Sequence, residues 1–373
     1  MADVQTLLGR SDALHSRVQD YIRAANPKRA AFEALALEIA QFQAEFNPGF
    51  ARLVKSRGSR LDSVSAIPAV PVDAFRLARV AVHPPELDIA RYRTSGTTSE
   101  QPGLHNMRRT DTYEISAIAW AREGLFANGA SSAAVAALLP EGGVETSSLS
   151  AMANMFMLAF DRNSDGSPMP SRWVLRPEGI DVAGLVAHLE RARASQQPFI
   201  VVATVIALVQ LLEDLGERTL DVWPQTVVMP TGGFKGKIRE IASPELREGV
   251  ARAFGIPDAN IVGEYGMTEL GSQLYEGFLP GGSLAGIAGY FHAPPWLDVC
   301  PVDPETLEHV HTGDVGIARF VDLANVDSAV CIVTQDLIRD TEHGIELLGR
   351  RQGAVARGCS LSTEEWLNGT VRA

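Results

Sequence analysis

Three short segments carry residue types suited to a small anionic ligand. In Thr94-Ser95-Gly96-Thr97-Thr98-Ser99, five of six residues bear hydroxyls and the sixth is glycine. Residues this small supply no core. Gly96 lets the backbone turn and a ligand approach closely. The flanking amides and hydroxyls can donate several hydrogen bonds to one phosphate. An ordinary solvated turn is the alternative that composition alone favours. Two further signals lie far downstream: Tyr265-Gly266-Met267-Thr268-Glu269 and Thr334-Gln335-Asp336. Near the C-terminus Cys359 sits beside Arg357 and Gly358. A neighbouring cation raises a thiol's thiolate fraction, although a buried structural cysteine is the default reading. His309 and His311 form a pair with no third ligand at zinc spacing. Neither an HExxH nor a GxSxG motif is present.

The elements that must position these residues alternate. Residues 10–47 read as two helices, with Phe32, Leu35, Ile39, Phe42 and Phe46 at helical spacing and Asn47-Pro48-Gly49 as a stop. Residues 57–90 are punctuated by Pro68, Pro71, Pro84 and Pro85 and read as an irregular wrapping segment. A helix is expected from Thr110-Asp111-Thr112 to about Ala127. Then follow a strand over 133–139, a Met-rich helix from Ser150, a helix over 180–194, a strand over 199–203 and a helix over 206–215. A strand over 226–229 runs into Thr231-Gly232-Gly233-Phe234-Lys235, a helix spans 244–254, and a strand over 260–262 leads to Tyr265. This alternation predicts an α/β fold with a parallel sheet and helices on both faces. The glycine-bearing turns then fall at carboxyl ends of strands, where open α/β sheets bind ligands. From about Gly277, Gly-rich turns and short apolar runs predict a small β-rich lobe.

At 373 residues and 46% hydrophobic content, the chain can bury one large core and a smaller satellite. Its net charge of −12, without a basic stripe, argues against nucleic acid as a partner. Three cysteines without CxxC spacing argue against a disulfide framework. The absence of a signal-like N-terminus and of a long apolar run leads to the expectation of a cytoplasmic protein with no membrane span.

Together the three segments resemble the adenylate-forming superfamily of acyl-CoA synthetases, firefly-type luciferases and peptide-synthetase adenylation domains. More narrowly, Thr231-Gly232-Gly233-Phe234-Lys235-Gly236, Glu264 to Leu270 with Ser272-Gln273, and Arg357-Gly358-Cys359-Ser360-Leu361 are similar to the acyl-protein synthetase (LuxE-like) branch, over roughly residues 90–365. The resemblance implies the N-terminal large domain of the acyl-CoA synthetase fold, with ATP and Mg²⁺ as cofactors. The expected organisation is a helical and wrapping segment over 1–90, a nucleotide- and substrate-binding core over 91–276, the β-rich lobe over 277–352 and a tail over 353–373.

Carried over by residue, Thr94, Ser95, Gly96, Thr97 and Thr98 would hold the ATP phosphates, and Gly232 and Gly233 would line the adenine pocket. Glu264, Tyr265, Gly266 and Met267 would border the nucleotide, with Tyr265 stacked on the base. Thr268 would touch the α-phosphate, Glu269 would bind Mg²⁺, Asp336 would hold the ribose, and Arg350 would reach the ribose or α-phosphate. Lys235 would offset phosphate or substrate charge, or stand as a surface lysine. Cys359 would receive the acyl group as a thioester.

Two departures stand out: Ser99-Glu100-Gln101-Pro102-Gly103 lacks the lysine of the relatives' loop, and Gln352 replaces the hinge aspartate. So little chain follows Gln352 that the relatives' mobile C-terminal domain is expected to be absent. The implied reaction is adenylation of a carboxylic acid and hand-off to a partner acyl reductase. Resemblance to adenylating proteins of phenazine biosynthesis suggests an aromatic acid such as phenazine-1,6-dicarboxylate, with a fatty acid or a non-catalytic nucleotide-binding scaffold as alternatives.

Overall fold

The computed structural model of the chain describes residues 4–94, 102–161, 173–232, 244–277, 279–284 and 286–351. Helices α1 (Val4–Arg23) and α2 (Arg29–Phe46) bury the apolar residues spaced for one face, among them Leu14, Val18, Phe32, Leu35, Ile39 and Phe42. Asn47 does more than stop α2. Its side-chain oxygen accepts from the Gly49 and Phe50 amides and so starts α3 (Pro48–Ser56), with Pro48 at the first helical position. Next come β1 (Val70–Pro71), α4 (Ala74–Leu77), the hairpin β2 (Ala90–Arg93) and β3 (Leu104–Met107), and α5 (Asp111–Leu125), whose first turn carries Asp111 and Glu114.

The middle of the chain alternates as its apolar pattern requires. It runs through β4 (Ala134–Pro140), α6 (Ser148–Phe160), β5 (Trp173–Arg176), β6 (Gly179–Ile180), α7 (Val182–Ala194), β7 (Phe199–Thr204) and α8 (Val205–Leu215). It continues through β8 (Thr226–Thr231), α9 (Pro244–Phe254), β9 (Glu264–Tyr265), β10 (Leu274–Glu276) and β11 (Tyr290–His292). The last stretch is all strand: β12 (Leu297–Val302), β13 (Val315–Asp322), β14 (Cys331–Thr341) and β15 (Gly344–Arg350).

These elements form two compact units. One comprises the chain to Ser116, Met267–Ser272 and everything from Ala293; the other comprises Ala117–Gly266 and Gln273–His292. In the second unit β5, β4, β7 and β8 lie side by side and parallel, and β9 joins β8 through Thr231 and Glu264. Strands buried on both faces read as unbroken apolar runs, and β4 and β7 do. Ala134, Ala136, Leu138, Phe199, Val201, Ala203 and Val228 pack with Leu185 and Leu189 of α7, Leu208 and Leu211 of α8, and Val250 and Phe254 of α9. The alternate residues Val135, Ala137, Ile200, Val202, Val227 and Met229 point to the other face and are as deeply buried.

The strand expected over 260–262 is displaced. Residues 258–260 form a 3₁₀ turn, Ile261 makes only an isolated bridge to Val228, and the strand proper is β9. The Asn260 amide explains this: it donates to the carbonyls of Pro224 and Thr226 at 3.1 and 2.9 Å, a side chain taking the place of a ladder rung.

In the first unit β12–β13–β14–β15 form an antiparallel meander, and β1 pairs in parallel with β14. The loop from Asp322 to Cys331 is buried and polar, so it requires partners. Gln43 of α2 supplies three bonds, donating to the Asn325 and Val326 carbonyls and accepting from the Val330 amide. Ser11, His15 and Arg108 converge on Asp327. Burial alone would raise that carboxyl, but His15 and Arg108 hold it down at about 2.

Candidate functional site

In the first unit, Thr94 and Gly103, which continue the β2–β3 hairpin, are bonded to each other. The Thr94 amide donates to the Gly103 carbonyl at 3.0 Å, and the Gly103 amide donates to the Thr94 hydroxyl at 3.0 Å. Thr94 therefore accepts one bond at the stem, and its hydroxyl proton can still be offered to a ligand. Thr268 is tied to the same strand, its hydroxyl donating to the Arg93 carbonyl at 3.2 Å. Donation to a phosphate would require that bond to be exchanged.

Residues 267–272 belong to the first unit, and side chains hold their backbone. His105 contacts the Thr268 carbonyl at 2.6 Å, and the Asn325 amide donates to the Glu269 carbonyl at 2.8 Å. Asp322 accepts from the Gly271 amide at 2.9 Å and the Ser272 hydroxyl at 2.7 Å. Burial raises the Asp322 carboxyl to about 6, against those bonds. Glu269 is buried, which pushes its carboxyl up to about 7. Its own backbone N–H and Arg350 oppose the rise, while Asp336 and Asp73 add to it. Asp336 and Arg350 are direct partners across β14 and β15. Thr94, Thr268, Glu269, Asp336 and Arg350 thus lie in one unit, with Glu269 in the field of the last two.

Among the described residues, no group of three or more His, Cys, Asp or Glu side chains forms a metal cage. Mg²⁺ needs no cage. It binds through one or two carboxylates, its remaining positions taken by water and substrate phosphates. A buried carboxylate whose charge is disfavoured by burial and by two nearby acids suits such a cation.

In the second unit, Gly232 follows the last residue of β8 with φ +70°, a left-handed conformation that favours glycine, and open space lies where a side chain would stand. Beside it Thr231 donates its hydroxyl to Glu264, the residue it opposes in β9. Burial raises the Glu264 carboxyl to about 7, with the Thr231 bond pulling the other way. Tyr265 is half-buried. Gly266 has a packing reason: a Cβ there would meet Glu264 Oε1 at 2.5 Å. Gly232, Glu264, Tyr265 and Gly266 therefore form a second group, and Met267 begins the stretch assigned to the first unit. Ser95, Gly96, Thr97, Thr98, Gly233, Lys235 and Cys359 lie outside the described residues.

The sequence reading missed His105, Asp322 and Asn325, which brace the motif, and the Glu276–Arg247 pair. Glu276 accepts from Arg247 at 2.9 Å, the Gly263 amide at 2.8 Å and the Gly289 amide at 2.9 Å. An Asp or Asn in a turn is common, and none of these has a spacing that sets it apart. Met152, Met155, Met157 and Phe156 of α6 are buried in the second unit, with Phe156 against Phe160.

No protein-family model matches the chain. A long-chain-fatty-acid–luciferin-component ligase of Aliivibrio fischeri is 21% identical over 206 residues, 52% of this chain and 52% of that protein. The match spans about half the length of that relative. Among solved structures, 2-hydroxyisobutyryl-CoA ligase in an open conformation, in complex with 2-HIB-AMP and CoA, aligns with a TM-score of 0.61 and 14% identity. That alignment covers 86% of this chain and 75% of the ligase. The same ligase in its postadenylation state with 2-HIB-AMP gives a TM-score of 0.60 and 16% identity over 88% and 69%. The mixed α/β fold is that of the large N-terminal domain of the adenylate-forming ligases.

Proposed function

We propose that the chain activates a carboxylic acid with ATP. A carboxylate oxygen attacks the α-phosphorus, the bond to the β-phosphate oxygen breaks, and an acyl-adenylate and pyrophosphate form. The two reactants are both anions, so the protein's task is to align them and neutralise the charge that develops. The Thr94–Thr98 hydroxyls and amides would hold the phosphates, and Tyr265, Gly232 and Gly233 the base. Asp336 takes the ribose hydroxyls, and Arg350 or Lys235 offsets phosphate charge. Mg²⁺ on Glu269 would supply electrostatic stabilisation of the phosphate oxygens. The observation that carries this reading is Glu269 itself: a buried carboxylate near Asp336 and Arg350, on a backbone pinned on both sides.

The acid is an aromatic one such as phenazine-1,6-dicarboxylate, as the sequence resemblance suggests. A long-chain fatty acid is the second reading, favoured by the name of the Aliivibrio fischeri relative. The acyl group passes to an acyl reductase, either from the adenylate directly or through a thioester on Cys359, whose formation breaks the acyl–phosphate bond and releases AMP. Substrate-dependent ATP–pyrophosphate exchange, screened over aromatic and long-chain acids, tests the reaction and identifies the acid together. Exchange with either class supports activation. Nucleotide binding without exchange for any acid would favour a non-catalytic scaffold. Cys359→Ala should spare exchange and abolish covalent acylation.

A further inference from the structure

His105 enters neither the motif nor the proposed chemistry, yet its surroundings are unusually specified. It lies on β3 with its ring buried, in a T-shaped contact with Phe75 whose ring centroid is 5.6 Å from its own. Nδ1 is 2.6 Å from the Thr268 carbonyl oxygen, and Nε2 is 3.0 Å from the Ser328 hydroxyl. A carbonyl cannot donate, so Nδ1 must carry the proton; Nε2 then holds a lone pair and accepts from Ser328. Burial pushes the imidazole down to about 4, so this neutral tautomer persists through neutral pH.

The consequence falls on Glu269. The peptide unit joining Thr268 to Glu269 is planar, with its C=O and N–H pointing in opposite directions. Fixing the oxygen against His105 therefore fixes the direction of the Glu269 N–H. That N–H is one of the groups that favour the charged Glu269 carboxylate against its burial. The next carbonyl, that of Glu269, is held by Asn325 at 2.8 Å.

We infer that His105 is a positioning residue: by bracing the Thr268 carbonyl it orients the peptide plane that aims the Glu269 carboxylate. This rests on the role proposed above for Glu269, and the test separates the two. In asparagine, Nδ2 stands where the histidine's Nδ1–H does. In glutamine the amide reaches the Nε2 position and meets Ser328 instead. His105→Ala and His105→Gln remove the His105 donor from the Thr268 carbonyl, and should lower kcat of ATP–pyrophosphate exchange about tenfold or more, with KM for ATP changed less than about threefold. His105→Asn should recover most of that loss. A purely packing role predicts instead that glutamine and asparagine behave alike, or that the loss falls on KM, and either result overturns the inference. Amide hydrogen exchange of residues 267–272 supplies the second arm and needs no turnover. Protection should fall in the alanine and glutamine variants and stay near wild type in the asparagine variant. If wild type shows no exchange with any acid, the proposed reaction fails while this arm still decides the positioning role. Equal protection in all variants would refute it.

Discussion

Strand β7 and the segment Met267–Ser272 are held by opposite means. Strand β7 is paired along its length with β4 and β8, and Phe199 to Ala203 are buried among side chains that any apolar residue of similar volume could meet. The 267–272 segment has no ladder of its own. Its position depends on single side-chain bonds from His105, Asn325 and Asp322, and from the Thr268 hydroxyl to the Arg93 carbonyl. Ladders and apolar area spread the energy over many contacts, so losing one contact costs stability and little geometry. A backbone held by isolated buried bonds loses geometry when one goes, because each released carbonyl or amide must find another partner. The segment expected to carry chemistry is the one built in the second way.

Substitutions sharpen that contrast. Glu269→Gln keeps the shape and removes the charge, and should lower exchange at least about a hundredfold while the thermal midpoint moves by a few degrees or less. Unchanged exchange would remove Glu269 from the site. Asn325→Ala releases the Glu269 carbonyl; it should cost about 1–3 kcal/mol of stability in urea unfolding and lower exchange about tenfold per folded molecule. In β7, Val201→Ala should cost a comparable ~1–3 kcal/mol and leave exchange per folded molecule within about twofold. If Val201→Ala and Asn325→Ala impaired exchange equally, the distinction between the two regions would collapse.

The smallest effect is one of pH. The Glu264 carboxyl is raised to about 7 by burial from an ordinary value of 4.5. Its folded form therefore holds the proton more tightly than its unfolded form. The stability this group contributes is complete below 4.5 and is lost as pH rises to about 7. Glu264→Gln can still accept the Thr231 hydroxyl but cannot ionise. Its thermal midpoint should exceed wild type at pH 8 and match it near pH 4. A lower midpoint at pH 8 would mean that Glu264 is held charged.

The same contrast explains what the sequence disclosed. Helix α9 is found over Pro244–Phe254 as read, and β4, β7 and β8 within two residues of their expected bounds, because unbroken apolar runs and helix-end residues are local signals. The second role of Asn47, as the start of α3, was hidden behind the helix stop it also forms. Strand β9 was misplaced because Ile261 and Val262 look like strand, whereas the Asn260 side chain replaces the first rung. The braces were illegible for a different reason. His105 meets Thr268 at a separation of 163 residues and Ser328 at 223, and Asn325 meets Glu269 at 56. Each depends on where the fold returns, and no period or spacing encodes that.

The most direct test of acid activation follows an oxygen atom. With ¹⁸O in the carboxylate of an acid that supports exchange, and hydroxylamine as acyl acceptor, the oxygen that attacked the α-phosphorus must leave with the nucleotide. The account predicts one ¹⁸O in AMP and none in pyrophosphate. Label in inorganic phosphate, or AMP without label while hydroxamate accumulates, would contradict it.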